Sequence, residues 1–314
     1  MKKTKHGIEI LFLILTLTFV NGCKKSEKTE NLAVEQKIPQ RIICLSPASA
    51  EICFAVGAGD KVVACSEFCD YPEEVKNVPV VGGFDGKTLS LEKILSFKPD
   101  FVYLTSGMHD FLISMLEENG INYYVSVADS VDSVMKEISD IGKITGNENK
   151  AQEINAGIEN IIDSVKGVAE MCSAEGVAEK PTAQRGLWSE GEASPTLENK
   201  KIYWEVWNVP YMSAGRKSFI NDVIVVSGGK NIFDNLDEAY PIVSEETLIA
   251  RAPDIILIPA SSGLTVDSVK GRIGWQNIPA VKNDKIFIVD DNLYTRPGPR
   301  IGLVIKELSE IIGG

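Results

Sequence analysis

A short pattern occurs twice, at two distant places, in this 314-residue chain. Residues 90–100 read Ser-Leu-Glu-Lys-Ile-Leu and continue to Pro-Asp. Residues 244–254 repeat the serine, the glutamate, the aliphatic residues and the Pro-Asp pair at the same offsets. Repeat units of solenoid proteins are much shorter than this spacing. The pattern therefore predicts two related lobes, and a cleft between lobes is a preferred place for a ligand.

An acidic residue upstream of each copy of the pattern is repeated as well. Glu51 precedes Gly57 by the step that separates Asp222 from Gly228. The two acids are therefore predicted to occupy equivalent positions in the two lobes.

Residues 1–22 are predicted to be a lipoprotein signal peptide. Three lysines among the first five residues precede an apolar stretch over 10–20 that is too short to span a bilayer. A small residue followed by Cys23 then resembles a bacterial lipoprotein cleavage site. Lipid on Cys23 would anchor the chain to a membrane of the cell envelope, on its periplasmic or extracytoplasmic face. An ordinary signal peptide with an incidental cysteine is the alternative.

The chain is acidic, with a formal net charge of -12. Removal of residues 1–22 takes away three lysines and one glutamate, so the remaining chain is more acidic still. This charge disfavours nucleic acid and anionic membrane surfaces as partners, and it suits a partner with positive patches. No apolar run after the leader is long enough to cross a membrane.

Six cysteines in a chain of this length do not indicate a disulfide scaffold. Those that remain beside a lipidated Cys23 are Cys44, Cys53, Cys65, Cys69 and Cys172. Their number is odd, so at least one thiol has no partner within the chain. Cys44 and Cys53 lie in apolar segments and are predicted core residues. Cys65 and Cys69 are candidates for a disulfide or, with weaker support because no histidine is near, for a metal site. We predict no metal site.

Apolar, strand-like runs alternate with segments of helical composition in both halves of the chain. The predicted strands lie at 41–45, 62–65, 101–104, 121–125, 201–206, 255–258 and 286–289. Residues 131–168 instead carry apolar residues at helical spacing, which predicts one long helix or two in sequence. Alternating strands and helices are typical of parallel, doubly wound sheets. The predicted fold class is α/β, with two lobes of mainly parallel sheets joined by a long inter-lobe helix.

The predicted domain order follows from these segments. A flexible tether at 23–37 leads into an N-terminal α/β lobe at 38–128, and the inter-lobe helix follows at 129–168. The C-terminal α/β lobe takes up 169–314. It begins with a flexible excursion at 169–192 that is rich in glutamate, alanine and glycine.

Motifs of known catalytic sites are missing from the sequence. It contains no His-Glu-x-x-His metal helix and no Gly-x-Ser-x-Gly elbow. The glycines at 82–88 are one residue too close for a phosphate loop, and 57–59 lack the third glycine of a dinucleotide fingerprint. We predict no catalytic residue, no cofactor and no enzymatic activity. A secreted, lipid-anchored hydrolase is the alternative.

Six motifs follow one another in a specific order along the predicted lobes. They are Arg-Ile-Ile-Cys-Leu-Ser-Pro-Ala-Ser-Ala-Glu at 41–51 before Gly57, Cys-Asp-Tyr-Pro at 69–72, Leu-Glu to Pro-Asp at 91–100, Ser-Ala-Gly at 213–215, Gly-Gly-Lys-Asn-Ile-Phe at 228–233 and Arg-Pro-Gly-Pro-Arg at 296–300. Together they resemble the class III solute-binding proteins of ABC importers, which bind cobalamin, ferric siderophores or haem. The resemblance covers residues 38–312 apart from the excursion, and the motifs are most similar to those of cobalamin-binding proteins.

The resemblance implies a partner. A member of this family delivers its ligand to an ABC permease dimer with its ATPase subunits, and one carboxylate on each lobe docks onto arginines of the permease. The resemblance and the repeat assign these roles to Glu51 and Asp222. The alternative is that both acids lie on solvated helix faces. We expect a monomer that does not bind nucleic acid.

Loops that follow the predicted strands are expected to line the cleft. The predicted ligand-binding residues are Tyr71, Phe84, His109, Trp204, Trp207, Tyr211, Tyr240, Tyr294 and Arg296. Flat apolar faces with polar tips suit a large, partly planar ligand. Cobalamin binders that are similar to this chain carry a tyrosine at the position of Tyr71. Tyr203 and Trp204 alternate along a strand, so one of them is predicted to point inward.

The resemblance implies that the bound ligand is a corrinoid or a ferric chelate. We rank cobalamin or another corrinoid first, a ferric siderophore second and haem third. Arg296 or Arg216 would favour an anionic siderophore, whereas Tyr71, Tyr294 and His109 are candidate iron ligands for haem. A lipid-anchored adhesion or signalling module is the alternative from another class.

Overall fold

The computed structural model describes residues 37–84, 87–174 and 200–314. The predicted leader, Cys23 and most of the tether and of the excursion lie outside the described residues, and so does the side chain of Cys172.

The first lobe is built on a parallel sheet of four strands in the order β2-β1-β3-β4. The strands are β1 (Ile42–Cys44), β2 (Val62–Cys65), β3 (Phe101–Thr105) and β4 (Asn122–Ser126). The helices between them are α1 (Pro47–Ala55), α2 (Leu91–Ser96) and α3 (Ile113–Glu118). Each helix connects two parallel strands, as the alternation in the sequence predicts.

Two consecutive helices, not one, follow the first lobe. They are α4 (Val131–Thr145) and α5 (Glu148–Ala174). Gly146 ends α4 in the left-handed conformation with φ 75°, which glycine adopts without strain. The side chain of Asn155 on α5 donates to the carbonyl of Met135 on α4 at 2.8 Å, which bonds the two helices to each other at this point.

The second lobe contains a sheet in the order β6-β5-β8-β9, with β7 also paired to β5. Its strands are β5 (Lys201–Asn208), β6 (Tyr211–Ser213), β7 (Lys230–Asn231), β8 (Ile255–Pro259) and β9 (Ile286–Val289). Its helices are α6 (Phe219–Val226), α7 (Glu245–Arg251), α8 (Val266–Lys270), α9 (Pro279–Lys282), α10 (Asp291–Tyr294) and α11 (Ile301–Gly313). β6 is antiparallel to β5, and the other pairs are parallel.

The sequence repeat corresponds to a repeated structure. In the first lobe β1 lies between β2 and β3, and in the second lobe β5 lies between β7 and β8. Ser90 caps α2 by accepting from the N–H of Lys93, and Ser244 caps α7 by accepting from the N–H of Thr247, both at 3.2 Å. A serine at the N-cap satisfies a backbone donor that the helix leaves free.

The aspartate of each copy fixes the first strand of its lobe. The carboxylate of Asp100 accepts from the N–H of Arg41 at 2.8 Å, and that of Asp254 accepts from the N–H of Lys201 at 2.9 Å. The glycines after the acidic positions match as well, because Gly57 and Gly228 both have φ 88°. In both lobes, the repeated serine therefore caps a helix and the repeated aspartate binds the start of a strand.

Each sheet is covered on both faces because side chains alternate along its strands. Ile42 and Ile202 belong to a central apolar cluster that includes residues of α4, α5, α6 and α11 from both lobes. Tyr203 lies on the opposite face of β5 from Trp204, in a separate cluster of the second lobe. Because the central cluster is continuous between the lobes, the lobes are joined by packing as well as by the chain.

Within the described ranges, we find no helix with the length and apolar character that a membrane span needs.

Candidate functional site

The loops that follow β2 and β9 contact each other between the two lobes. Arg296 follows β9, and it donates to the carboxylate of Asp70 and to the carbonyl of Phe68, which follow β2. Both loops follow strands that end at the C-terminal edge of a parallel sheet, so the C-terminal edges of the two sheets approach each other at this contact. Open α/β sheets bind ligands at this edge.

Glu51 joins the two lobes at the base of this contact. Its carboxylate accepts from Nε of Arg300 at 2.8 Å and from Nη2 of Arg300 at 2.7 Å, a bidentate pairing. It also accepts from Nη1 of Arg296 at 3.2 Å. Glu51 is only 2% exposed, so it cannot present its charge to another protein. The prediction that Glu51 docks on a permease is therefore corrected, because two arginines of the other lobe occupy its carboxylate.

Asp222 makes an equivalent contact from the second lobe to α4, the helix that follows the first lobe. Its Oδ2 accepts from the N–H of Val131 at 2.7 Å, at the first residue of α4. Burial raises the pKa of Asp222, and the nearby Asp132 and Asp129 add to this effect. The docking prediction for Asp222 loses support for a different reason, because Asp222 is half-buried and its Oδ2 is bound to the backbone of α4. Both repeated acids bond the opposite half of the molecule.

Arg296 also takes part in this contact between the lobes. Its guanidinium bridges Glu51 and Asp70, and it is 9% exposed. The ion pair holds the pKa of the Asp70 carboxyl below its usual range. The guanidinium carbon of Arg300 lies 4.1 Å from the centroid of the Tyr71 ring, so the same cluster supports one face of that ring. The predicted contact between Arg296 and a ligand is corrected accordingly.

His109 is a structural residue. Its Nδ1 accepts from the N–H of Thr105 at 3.0 Å, so the other nitrogen carries the proton. That Nε2–H donates to the carbonyl of Phe84 at 3.0 Å. Burial lowers the pKa of His109, which keeps the ring neutral. Since both nitrogens are occupied and the side chain is buried, His109 cannot serve as the iron ligand that the sequence suggested. It instead holds the Phe84 loop against the end of β3.

Trp204 and Tyr294 are core residues. Their rings stack at a centroid distance of 5.8 Å, and both are buried. Both therefore lie below the cleft surface, and their prediction as ligand contacts is corrected.

Three of the remaining predicted residues have exposed side chains. Trp207 is 59% exposed, Tyr240 is 49% exposed and Tyr71 is 46% exposed. Phe84 and Tyr211 are half-buried. Trp207 donates its indole N–H to the carbonyl of Val209 at 3.0 Å, which fixes the ring to its own turn.

Several exposed apolar residues at the same edges were missed. They are Phe68 after β2, Phe111 after β3, Val127 after β4 and Val209 after β5. Their position directly after a predicted strand was the available signal. Exposed apolar side chains at these strand ends are candidates for contact with a ligand or partner.

A buried ion pair supports the wall formed by the second lobe. Arg272 donates to both oxygens of Glu205 on β5, at 2.5 and 2.8 Å. Its guanidinium carbon lies 4.5 Å from the ring centroid of Trp275 and 5.4 Å from that of Tyr211. Tyr211 and Trp275 both donate to the same oxygen of Glu245. This network holds Tyr211 rigid behind the exposed rings.

A model of the periplasmic binding protein family matches residues 42–293 of this chain. The uncharacterized ABC transporter substrate-binding lipoprotein YvrC of Bacillus subtilis is 29% identical over 326 residues, covering 96% of this chain and 95% of that protein. The vitamin B12-binding protein of Vibrio parahaemolyticus is 25% identical over 282 residues, covering 89% of this chain and 92% of that protein.

A similar arrangement is found in a solved structure. The periplasmic haem-binding protein HutB of Vibrio cholerae superposes with a TM-score of 0.70 at 20% identity, covering 88% of this chain and 99% of that one.

Proposed function

Because the chain belongs to the periplasmic binding protein family, we propose that it captures a corrinoid in the cleft between its two lobes. The family match confirms the resemblance seen in the sequence, the two-lobed α/β fold and the expectation that the chain is not an enzyme. The chain is the substrate-binding component of an ABC transporter. The nature of the ligand, the docking residues and the lipid anchor are our proposals.

The observation that carries the corrinoid proposal is the set of exposed aromatic rings on both lobes. Tyr71 lies on the first lobe, whereas Trp207 and Tyr240 lie on the second, and each of them is close to half exposed or more. Rings on two walls can cover both faces of a large flat ligand while their polar tips reach water. The similar protein of Vibrio parahaemolyticus is a vitamin B12-binding protein, which supports the choice of ligand.

The other two ligand classes have less support. Arg296 is held by Glu51 and Asp70, so it is not free to pair with an anionic siderophore. A haem would need a phenol as its iron ligand, because His109 is occupied. The exposed Tyr71 and Tyr240 move haem from the third to the second candidate, ahead of a siderophore, and the fold is also that of a haem-binding protein.

Docking on the permease is assigned to a different repeated pair of acids. Glu92 and Glu246 occupy the same position in the two copies of the pattern, in the first turns of α2 and α7. Both are exposed. A helix between parallel strands runs back along the sheet, so the first turns of α2 and α7 lie at the cleft edge of each lobe. Two acids that flank the cleft can orient the loaded protein on a positively charged partner.

The lipid anchor is proposed to be on Cys23. The chain is similar to a protein that is named a lipoprotein, which supports this assignment. Replacement of Cys23 by alanine should release the protein from the membrane fraction of cells that express it. An equal membrane fraction for both proteins would reject the anchor.

Calorimetric titration tests the ligand assignment. The purified protein is titrated with cyanocobalamin, haemin and a ferric siderophore, and we expect saturable binding of cyanocobalamin. Trp207→Ala should weaken this binding about tenfold or more, as the loss of an exposed aromatic anchor does. Val225→Ala is the matched control, because Val225 is also an exposed apolar residue but lies in the last turn of α6.

If the protein bound haemin and neither of the other two ligands, the proposed ligand would be haem instead of a corrinoid. Absence of binding to all three ligands would contradict the proposal that the cleft holds a metal chelate.

A further inference from the structure

Tyr71 on the first lobe lies against a side chain of the second lobe. The guanidinium carbon of Arg300 is 4.1 Å from the centroid of the Tyr71 ring. Tyr71 follows β2, whereas Arg300 is the residue directly before α11, so the two residues come from distant parts of the chain. A guanidinium that stacks on an aromatic ring is attracted to the face of that ring. One face of Tyr71 is therefore covered by the opposite lobe.

Arg300 is itself fixed by hydrogen bonds. Its Nε and Nη2 donate to the two oxygens of Glu51 at 2.8 and 2.7 Å, and Nη2 also donates to the carbonyl of Asn292 at 3.2 Å. The side chain of Arg300 is 17% exposed and that of Glu51 is 1% exposed, so this charge-assisted pairing is largely shielded from water. A planar group held by three hydrogen bonds cannot turn freely, and Arg300 therefore forms a fixed support for the ring.

The Tyr71 side chain has little other support. Within the described ranges it makes no hydrogen bond, and the stack on Arg300 is its one ring interaction. The side chain is 46% exposed although Arg300 covers part of it. It borders a cavity of about 440 Å³ that both lobes line, with Pro72 from the first lobe and Pro299 from the second. The orientation of the ring towards this open space is therefore set by Arg300.

We propose that Arg300 is a positioning residue for the ligand, because it holds the Tyr71 ring in the orientation in which the ligand contacts it. This inference rests on the proposed function, in which Tyr71 contacts the ligand. The first lobe supplies the ring, and the second lobe supplies its support. A movement of one lobe relative to the other separates the ring from Arg300, so the affinity for the ligand depends on the contact between Glu51 and Arg300.

Hydroxyl-radical footprinting of the protein without ligand tests whether Arg300 holds the ring. Tyr71 and Tyr240 are the only tyrosines in the tryptic peptides 62–76 and 231–251, and fragmentation of the peptides locates oxidation on each ring. In Arg300→Lys, a single ammonium group cannot both bridge two carboxylate oxygens and lie flat on a ring. We expect faster oxidation of Tyr71 in this variant. Tyr240 is the internal reference, because it is similarly exposed at 49%, and its oxidation should not change.

A double-mutant cycle tests whether Arg300 acts on the ligand through the ring. In titrations with cyanocobalamin, Arg300→Lys should weaken binding about three- to tenfold. The same change should weaken binding by less than about twofold when Tyr71 is already replaced by alanine, because no ring is left to position. When Tyr71 is replaced by phenylalanine, the ring remains, and the full effect of Arg300→Lys should return.

Asp222→Ala is the control for a weakened contact between the lobes. It removes the hydrogen bond to the N–H of Val131, which lies in another part of the lobe contact. This variant should unfold at a lower urea concentration and bind cyanocobalamin with unchanged affinity. A purely structural role of Arg300 would instead give the same change in affinity with and without the Tyr71 ring, and that result would overturn the proposal.

Equal oxidation of Tyr71 in the original protein and in Arg300→Lys would also overturn it, whether or not a ligand binds. If the original protein does not bind cyanocobalamin, the corrinoid assignment fails, and footprinting still decides whether Arg300 holds the ring. Glu51→Gln is the second variant in case the lysine variant does not fold. It removes the anion that fixes Arg300 and should likewise speed oxidation of Tyr71, and an unchanged rate there would count against the proposal.

Discussion

At the residue scale, the charge on Glu51 joins two parts of the chain that are far apart in sequence. The carboxylate comes from α1, and its partner Arg296 lies 245 residues further along. Removal of one member of a buried ion pair leaves the other charge without compensation, which costs about 3–5 kcal/mol. The acid is therefore expected to stabilise the joint between the lobes and not to recognise a partner.

Glu51→Gln should lower the free energy of unfolding by about 3 kcal/mol or more, since Arg296 and Arg300 lose their shared negative partner. Glu92→Gln is the control, and as an exposed substitution it should change the free energy by less than about 0.5 kcal/mol. Urea denaturation of the three proteins measures both values. Equal midpoints for the two variants would contradict a joining role for Glu51.

A second buried acid, Glu137 on α4, gives the protein a pH dependence. Glu137 is 2% exposed, and neither of its oxygens has a hydrogen-bond partner. Burial raises its pKa, although the hydroxyls of Ser126 and Tyr103 and the charge of Lys136 oppose this and Asp140 adds to it. The folded protein therefore holds this proton more tightly than the unfolded chain does. Its contribution to stability is greatest below the ordinary glutamate pKa and declines as pH rises through the raised pKa.

Glu137→Gln removes this decline, so the variant should gain stability relative to the original protein as pH rises from 4 to 8. Thermal unfolding at a series of pH values measures the difference. Glu118→Gln, an exposed substitution on α3, should show no such trend. A constant difference between the Glu137 variant and the original protein across this range would reject the assignment.

At the element scale, contact between α4 and α5 depends on a residue without a side chain. Gly142 on α4 is buried, and a Cβ at this position would overlap the Cβ of Ala151 on α5. Gly157 on α5 has open space around the same point. Substitution of Gly142 therefore tests the packing between the helices, whereas substitution of Gly157 tests helix propensity alone.

Gly142→Ala should destabilise the protein by about 1–3 kcal/mol, because the helices must move apart to admit the methyl group. Gly157→Ala should stabilise it by about 0.5–1 kcal/mol through the better helix propensity of alanine. The midpoints of urea unfolding give the two signs. A stabilising effect of both substitutions would mean that α4 and α5 are not in close contact at Gly142.

Elements with a strong periodic signal could be predicted from the sequence. The apolar runs predicted at 62–65 and 286–289 are the strands β2 and β9. The break between two helices near residue 146 follows from the glycine there, which ends α4. β7 has two residues and β6 has three, and such short strands depend on pairing with β5 more than on their own composition.

The site was less predictable because its contacts are long-range. Trp204 and Trp207 have the same chemical character, and only their places along β5 make one buried and the other exposed. His109 is bound by the carbonyl of Phe84, which sequence spacing does not reveal. Glu51 and Asp222 were correctly paired by the repeat, but the role implied by the resemblance required them to be exposed.

At the scale of the whole molecule, the repeat accounts for both the joint and the outer edges of the cleft. One repeated pair of acids, Glu51 and Asp222, holds each lobe to the other. The other pair, Glu92 and Glu246, lies exposed on α2 and α7. A partner that spans the cleft can contact both members of the second pair.

Charge reversal of both Glu92 and Glu246 to lysine should abolish ligand uptake in cells and leave the affinity of the purified protein for the ligand unchanged. The matched control reverses Glu118 and Glu310, which are exposed at the ends of α3 and α11. Uptake of labelled ligand and calorimetry provide the two readouts. Normal uptake by the Glu92 and Glu246 double variant would contradict docking through these acids.

Hydrogen exchange with and without cyanocobalamin tests most directly whether the ligand lies between the lobes. We predict slower exchange on binding at 66–71 in the first lobe and also at 206–211 in the second lobe, with little change along the outer helices α3 and α8. Protection confined to one lobe, or no protection at either wall, would contradict capture in the cleft.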